Sequence, residues 1–547
     1  MTFKLSRLNS AVLTALTFGL ATSAFAANVP AGTELAAKQE LVYNVSANPA
    51  SLDPAKIEGD VEGQFTRQLF EGLVTSDEKG HILPGVAKSW DHSEDFKTWT
   101  FHLRDNAKWS NGDPVTAEDF VYAWQRLADP KTAAPYGTYL KYLTLQNAAE
   151  IVEGTKPPSE LGVKALDAHT LQLTLNSSIP YVDKLVEHYV LYPVHKATVE
   201  KFGDQWTKKE NMVNNGAFKL DSLIVNEKAE LSPNPQYWDN ANTVLTKVTL
   251  LPIESSTTDM NRYRAGEIDI TGKDVPPDMF PKLKADFPNE IYTSPILCTY
   301  VYEINTAKAP FNDPRVRQAL SLSIDRNIIT DKVLGQGQVP AYHFTPPYIN
   351  GGEKLTNPEW ASWDQKKRNE EAIKLLAEAG FNKQNPLNFT ILYNTSENHK
   401  KIAIAASSIW KQNLGGAVNA KMENQEWKTY LDSRHQGNYD VARAGWCSDY
   451  NEATSFLNYY LSDSSNNTAF YKSAEYDAAV KHALLADSDE QRQTDYANAE
   501  TFFSRDVPSV PFYHYVQPRL VKPYVKGYAV AHPGQNYYLK DVYLIKQ

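Results

Sequence analysis

The chain has 547 residues but only two cysteines, Cys298 and Cys447. It also lacks the short patterns that carry catalytic chemistry in a sequence. There is no G-x-S-x-G elbow, no H-E-x-x-H, no G-x-x-x-x-G-K-[ST] loop and no C-x-x-C pair, so the commonest nucleophile, zinc and phosphate sites have no local signature here. GQGQVP (335–340) lacks the third glycine and the strand-to-helix setting of a dinucleotide loop. The 12 histidines are scattered, none paired at helical ligand spacing, and no cluster calls for a metal or organic cofactor. Close carboxylates such as Asp432 with Asp440, or Glu370 with Glu371, read as solvated faces. Two distant acids leave no local pattern, so a secreted hydrolase stays open as an alternative to a non-enzyme. After residue 27 no apolar run is long enough to cross a membrane, and no short-period repeat or low-complexity stretch appears.

What the chain does contain begins at its N-terminus. Lys4 and Arg7 precede an apolar run from about Ala11 to Ala21, followed by Ala24-Phe25-Ala26. That order predicts a secretory signal peptide over 1–26, cleaved after Ala26, and a soluble, exported product. The competing reading, an N-terminal anchor, is poorly served by a run shorter than the ~20 residues a spanning helix needs. Without Lys4 and Arg7 the formal charge moves from −10 to −12. An acidic chain with dispersed charge is a poor nucleic-acid binder, so no nucleic-acid partner is expected. The 31 Tyr, 21 Phe and 11 Trp suffice for a large recognition cleft as well as a core. In an oxidising compartment two cysteines are most simply one disulfide, a free thiol being the alternative.

The length implies several domains, and alternating strand-like and helix-like segments imply an α/β protein. TWTFHL (98–103) alternates as a strand and is followed by a turn at Asn111-Gly112. Residues 116–127 read as a helix opened by Thr116 and Asp119 at capping-box spacing. Residues 311–326 read as a helix with Asp313 as N-cap and Pro314 in its first turn. Residues 368–381 read as a helix stopped by Gly380. Residues 197–220 pass from helix through a Gly-marked loop to a strand, and 508–525 is extended and punctuated by prolines.

GVAKSW (85–90) and TWTFHLRDNAKWSNGDPVTAEDFVYAWQR (98–126) resemble the peptide- and nickel-binding solute receptors of ABC importers. The likeness continues through YWDNANTVLTKV (237–248), RYRAGEIDI (262–270), FNDPRVRQALSLSIDR, YNTSENHKKIAIAASSIWK (393–411) and RAGWCSDYNEATSFLN (443–458). It is strongest to the oligopeptide-binding branch, whose disulfide half-sites look like LCTY around Cys298 and GWCSDYNE around Cys447. The resemblance implies a two-lobed periplasmic binding protein fold with an additional third domain and hinge closure around the ligand. On this chain the expected divisions are lobe I at 27–70, 195–296 and 516–547, the additional domain at 71–194, and lobe III at 297–515. It also implies a monomer that captures short peptides and delivers them to a membrane ABC permease. Related receptors for murein peptides, haem or nickel are the alternatives within the family, and holdase-like binding of unfolded chains is compatible with it.

A receptor for peptides of many sequences must draw its affinity from the amine, the backbone and the carboxylate. The resemblance implies Asp449 for the ammonium group and the segment Ala444–Cys447 as an edge for an added strand. It makes Trp446 and Trp427 pocket walls, and Tyr136 and Glu58 cleft-lining residues. Arg443, Arg434 and His399 match basic residues set at increasing distance to take the carboxylates of different peptide lengths. One departure stands out: where the relatives carry a lysine, this chain aligns Leu334, or Lys332 two positions earlier.

Overall fold

A computed structural model describes residues 29–486 and 488–547; the expected signal segment 1–26 lies outside the described residues. Local signals set the element ends. The backbone N–H of Thr116 donates to Asp119 at 2.8 Å, and the helix that follows, Ala117–Ala128, buries Phe120, Trp124 and Leu127. Asp313 accepts from the backbone N–H of Arg315 at 2.9 Å and opens Pro314–Ser323. The helix expected from 368 starts three residues earlier, at Gln365, because Asp364 caps it through the backbone N–H of Lys367 at 2.7 Å. It ends at Glu378, and Gly380 turns the chain away at φ +92°. Strand Thr98–Leu103 buries Trp99, Phe101 and Leu103 on one face.

Three main sheets organise these elements. The first is ordered Glu40–Asn44, Lys247–Leu251, Lys228–Pro233, Phe218–Ile224, with the first two strands parallel. Gln39 ties it to the far end of the chain by exchanging two hydrogen bonds with the main chain of Leu544, both 2.8 Å. The second is an antiparallel sheet ordered Ala87–His92, Thr98–Leu103, Thr170–Thr174, Val163–Asp167. The third has six strands, ordered Val339–Pro340, Ser509–Leu520, Ile291–Ile304, Val441–Cys447, Leu387–Asn394, Val418–Gln425. Its last two strands are parallel and joined by helix Glu397–Asn413, a crossover that packs Ile402, Ala406 and Trp410 into the core beside the sheet.

Two long strands, Ile291–Ile304 and Ser509–Leu520, run antiparallel along one another, and their pairing is interrupted between Pro295 and Thr299. Before the break Tyr292 pairs with Arg519, close to the first sheet; after it Tyr302 pairs with Val510, deep in the third. The break thus falls where a pair of strands passes from one body to another. Cys298 lies within it and is bonded to Cys447.

Candidate functional site

The site is built on the strand Val441–Cys447. It pairs along its whole length with Ile291–Ile304, from Ile304 opposite Val441 to Cys298 opposite Cys447. Ser448 donates its backbone N–H to the Leu297 carbonyl at 2.8 Å. By the alternation of an antiparallel ladder, Ala444 and Trp446 point their main-chain groups the same way, and Arg443, Gly445 and Cys447 point theirs to the opposite edge. The disulfide therefore spans a pair that exchanges no ladder hydrogen bonds, in keeping with its short Cα–Cα distance of 4.0 Å. On the opposite edge, strand Leu387–Asn394 pairs only with Val441 and Ala442. The Arg443 carbonyl accepts from the Tyr430 hydroxyl. The main-chain groups of Gly445 and Cys447 are left facing a cavity with no strand beside them.

That cavity has a volume of about 280 Å3 and is lined by residues of the first and third sheets, with Tyr136, His188 and Tyr189 added from the part of the chain that carries the second. Glu58, Tyr136, His399, Trp427, Arg434, Arg443, Trp446, Cys447 and Asp449 all line it. Asp449 follows the strand's end and its side chain is buried. Its Oδ1 accepts from the Tyr136 hydroxyl at 3.0 Å and lies 3.2 Å from His188 Nε2. Its backbone N–H donates to Ser455 Oγ at 2.7 Å, which fixes the turn. No protein hydrogen bond to its Oδ2 is found among the described residues. Trp446 stands beside it, its indole N–H held by the Ser455 carbonyl at 2.7 Å and its ring stacked on Tyr136.

The three basic residues differ sharply. Arg443 donates to Asn394 Oδ1 at 3.2 Å and to the Tyr515 hydroxyl at 2.6 Å, lies over the Tyr300 ring, and leaves its buried Nε without a partner. It forms no ion pair among the described residues. Arg434 is committed elsewhere: it holds the fully buried Glu303 at 2.8 Å and also donates to Tyr459 and Thr468. His399 is buried with no partner on Nδ1, and burial together with the Arg443 charge holds its pKa well below the ordinary histidine value. At neutral pH it is a neutral imidazole, not a cation. Of the two positions named at 332–334, Leu334 is buried in the cavity wall, while Lys332 is exposed and outside it.

Contacts across the cavity close it. Glu58 meets His435 Nε2 at 2.7 Å; burial works against the histidine's charge, but the Glu58 carboxylate outweighs it and raises the pKa. Glu62 Oε1 accepts from the indole N–H of Trp427 at 3.1 Å and from the backbone N–H of Ala50 at 2.7 Å. Burial raises the Glu62 pKa to about 7. Gly59 leaves room for this contact, since a Cβ there would lie 2.7 Å from the Trp427 ring. Further along, Glu397 accepts from Ser255 and Ser256 at 2.8 and 2.7 Å, and Ser396 donates to Asp274 at 2.7 Å. Glu62, His188 and Glu397 were not singled out in the sequence. Glu62 stands in the first turn of the helix Asp60–Leu69, where an acid reads as an ordinary helix-start residue, and a lone His188 or Glu397 carries no local signal.

A serine, a histidine and a glutamate also come together outside the cavity. Ser76 bonds Glu187, and His532 Nε2 lies 3.0 Å from Ser76 Oγ. His532 Nδ1 accepts from the backbone N–H groups of Gly534 and Asn536 at 3.1 and 3.2 Å, so the ring proton sits on Nε2 and points at the serine. A histidine so placed donates to Ser76 and cannot take its proton, and all three groups are buried. The cluster is a polar tie between chain segments. No group of three His, Cys, Asp or Glu side chains able to hold a metal ion occurs among the described residues.

Residues 81–468 match the bacterial extracellular solute-binding proteins, family 5 Middle. The chain is 58% identical over 543 residues to the periplasmic oligopeptide-binding protein OppA of Salmonella typhimurium, covering 99% of each. The crystal structure of Haemophilus influenzae OppA in complex with RPPGFSPFR superposes with a TM-score of 0.93 at 54% identity, over 94% of this chain and 100% of that one. The Escherichia coli murein tripeptide-binding protein MppA superposes at 0.91 with 48% identity, over 94% and 100%. An unliganded open form of MppA, also 48% identical and covering 95% and 99%, reaches only 0.65. Equal identity with unequal superposition means that the bodies are arranged differently. The arrangement here is that of the peptide complex and not of the open form.

Proposed function

The chain belongs to family 5 of the bacterial extracellular solute-binding proteins, and on that premise we propose that it is a periplasmic receptor for short peptides, which it delivers to an ABC importer. One observation carries the reading: a strand edge with free main-chain groups at Gly445 and Cys447 ends beside a buried carboxylate with a free oxygen, inside a closed cavity. The edge adds the peptide as a strand through bonds that ignore its side chains. Asp449 takes the ammonium group at one end, with Tyr136 and His188 holding the carboxylate in place. Trp446 and Trp427 wall the side-chain space. Arg443, with an unused Nε, takes the peptide carboxylate of shorter ligands, and His399 assists as a neutral donor. Arg434 acts at one remove, by balancing Glu303, and Glu58 acts through His435.

In this reading lobe I comprises 27–70, 195–296 and 516–547, the additional domain 71–194, and lobe III 297–515. The two crossings at 296–297 and 515–516 fall within the paired strands at the break in their register, the natural place for a hinge. The disulfide then lies on the lobe III side and stiffens the strand edge without tying the lobes. The receptor acts as a monomer, exported by cleavage after Ala26, with a membrane permease as its partner and no cofactor.

Native mass spectrometry of the freshly purified protein, followed by denaturation, tests this. A heterogeneous set of peptides two to five residues long is the expected cargo. A single cell-wall fragment would move the assignment to a murein-peptide receptor, and cleavage products of added peptide would favour a hydrolase. A protein that is empty and ignores added peptides overturns the proposal.

A further inference from the structure

Arg67 is the one arginine among the described residues with neither a hydrogen bond nor an ion pair. Each of the others has a polar partner, from Arg104 on the Gly85 carbonyl and Arg126 on Asp53 to Arg519 on Tyr43. Arg67 instead lies over the Tyr189 ring, 5.0 Å from its centroid, and lines the cavity. The absence of a side chain at Gly63 makes this pose possible, since a Cβ there would lie 2.7 Å from Arg67 Nη1 and 2.9 Å from the Tyr189 ring. A guanidinium offers five N–H donors in a planar fork, and here none of the described residues supplies an acceptor for them.

Its position relative to the amine anchor gives the vacancy a meaning. His188 lies 3.2 Å from Asp449 and packs against Tyr189 with ring centroids 4.2 Å apart and planes tilted by 34°, and Tyr189 in turn carries Arg67. The guanidinium therefore sits on the Tyr189 side of Asp449. The strand edge leads the other way, from Cys447 back to Arg443, where a peptide's own carboxyl end runs. Of the carboxylates lining the cavity, Glu58 is paired with His435 and Asp60 with Lys273, and Asp449 is the amine anchor of this reading. With the amine at Asp449 and the main chain on the strand edge, the first residue's side chain is the part of the ligand that starts nearest the Tyr189 side.

Resting on the peptide-receptor reading, we propose that Arg67 is a specificity-determining subsite that takes a carboxylate on the side chain of the ligand's first residue, favouring peptides that begin with glutamate or aspartate.

Calorimetric titration of the protein, stripped of bound ligand, with Glu-Ala-Ala, Gln-Ala-Ala and Ala-Ala-Ala tests the subsite. A charge-assisted bidentate contact predicts that Glu-Ala-Ala binds about tenfold more tightly than its isosteric glutamine analogue, with the ratio falling as salt rises. Arg67→Met should bring the ratio to one, and Arg67→Lys should restore part of it. Equal binding of the two peptides by the unaltered protein overturns the subsite while leaving the receptor reading intact, provided Ala-Ala-Ala binds. A preference that survives Arg67→Met also overturns it. If none of the three peptides binds, the receptor reading itself has failed and the subsite falls with it.

Discussion

Replacing Asp449 with asparagine isolates the contact on which the receptor reading most depends. The substitution is isosteric, and the hydrogen bond given by the Tyr136 hydroxyl to Oδ1 at 3.0 Å, with His188 Nε2 3.2 Å from the same atom, dictates which way the new amide turns. Its oxygen stays on the Tyr136 hydroxyl, so its NH2 group takes the place of Oδ2 and faces the ligand. The ammonium group then meets a donor where it met a charged acceptor. Removing one partner of a buried charge pair costs about 2–5 kcal/mol, or about 30- to 4,000-fold in Kd. Because the side chain is buried and no bulk water replaces the lost acceptor, the effect should be at least about 100-fold. The assay is a double-substitution cycle by calorimetry: Ala-Ala-Ala and its N-acetyl form against the unaltered protein and Asp449→Asn. If Asp449 holds the ammonium, acetylation weakens binding strongly to the unaltered protein and hardly at all to the variant. An acetylation penalty of equal size in both proteins refutes the reasoning, because the two changes would then act on independent contacts.

Arg434→Met should damage the fold more than the affinity, because it strands Glu303, whose side chain is fully buried. Breaking such a pair costs about 3–5 kcal/mol, read as a lower urea midpoint; a variant of unaltered stability that loses only longer peptides would return Arg434 to direct contact with the ligand. Burial raises Glu62 from 4.5 to about 7, so the folded chain holds this proton more tightly than the unfolded one. That contribution to stability is full below about pH 4.5 and is lost as pH rises to about 7, a change of about 3 kcal/mol. Glu62→Gln should therefore flatten the decline in unfolding free energy between pH 5 and pH 8, measured by urea titration at both; an unchanged slope would mean that Glu62 titrates normally.

Where the sequence spoke clearly, the cause and the effect lay within a few residues of each other. Thr116 with Asp119, Asp313 before Pro314, and Gly380 after its helix each set an element end through one or two local hydrogen bonds or a single φ value. The alternation of Trp99, Phe101 and Leu103 carried its own proof of a half-buried strand. What stayed illegible depended on partners that only the fold supplies. Arg434 looks like any cation in a stretch that resembles a ligand site, yet the group that claims it, Glu303, lies 131 positions away. His399 reads as basic, but burial and Arg443 make it neutral. Arg67 attracts no notice in QFTRQLF, since its significance is an absence of partners, which no pattern records.

The same distinction separates the site from its closure. The strand edge and Asp449 lie within nine consecutive positions, 441–449, and a reader of the sequence meets them together. The contacts that shut the cavity join positions hundreds of residues apart: Trp427 to Glu62 across 365 and His435 to Glu58 across 377. These pairs are polar, like those of Glu397 with Ser255 and Ser256, and they join segments that the paired strands Ile291–Ile304 and Ser509–Leu520 also connect. Polar, part-buried contacts of this kind add little net stability each, because opening returns both partners to water. A closed state held by them is therefore poised, and a ligand that bridges Asp449 on one side and the far wall on the other need contribute only a few kcal/mol to hold it shut. The weakness of the cross-cavity contacts is what lets the receptor open again to release its cargo.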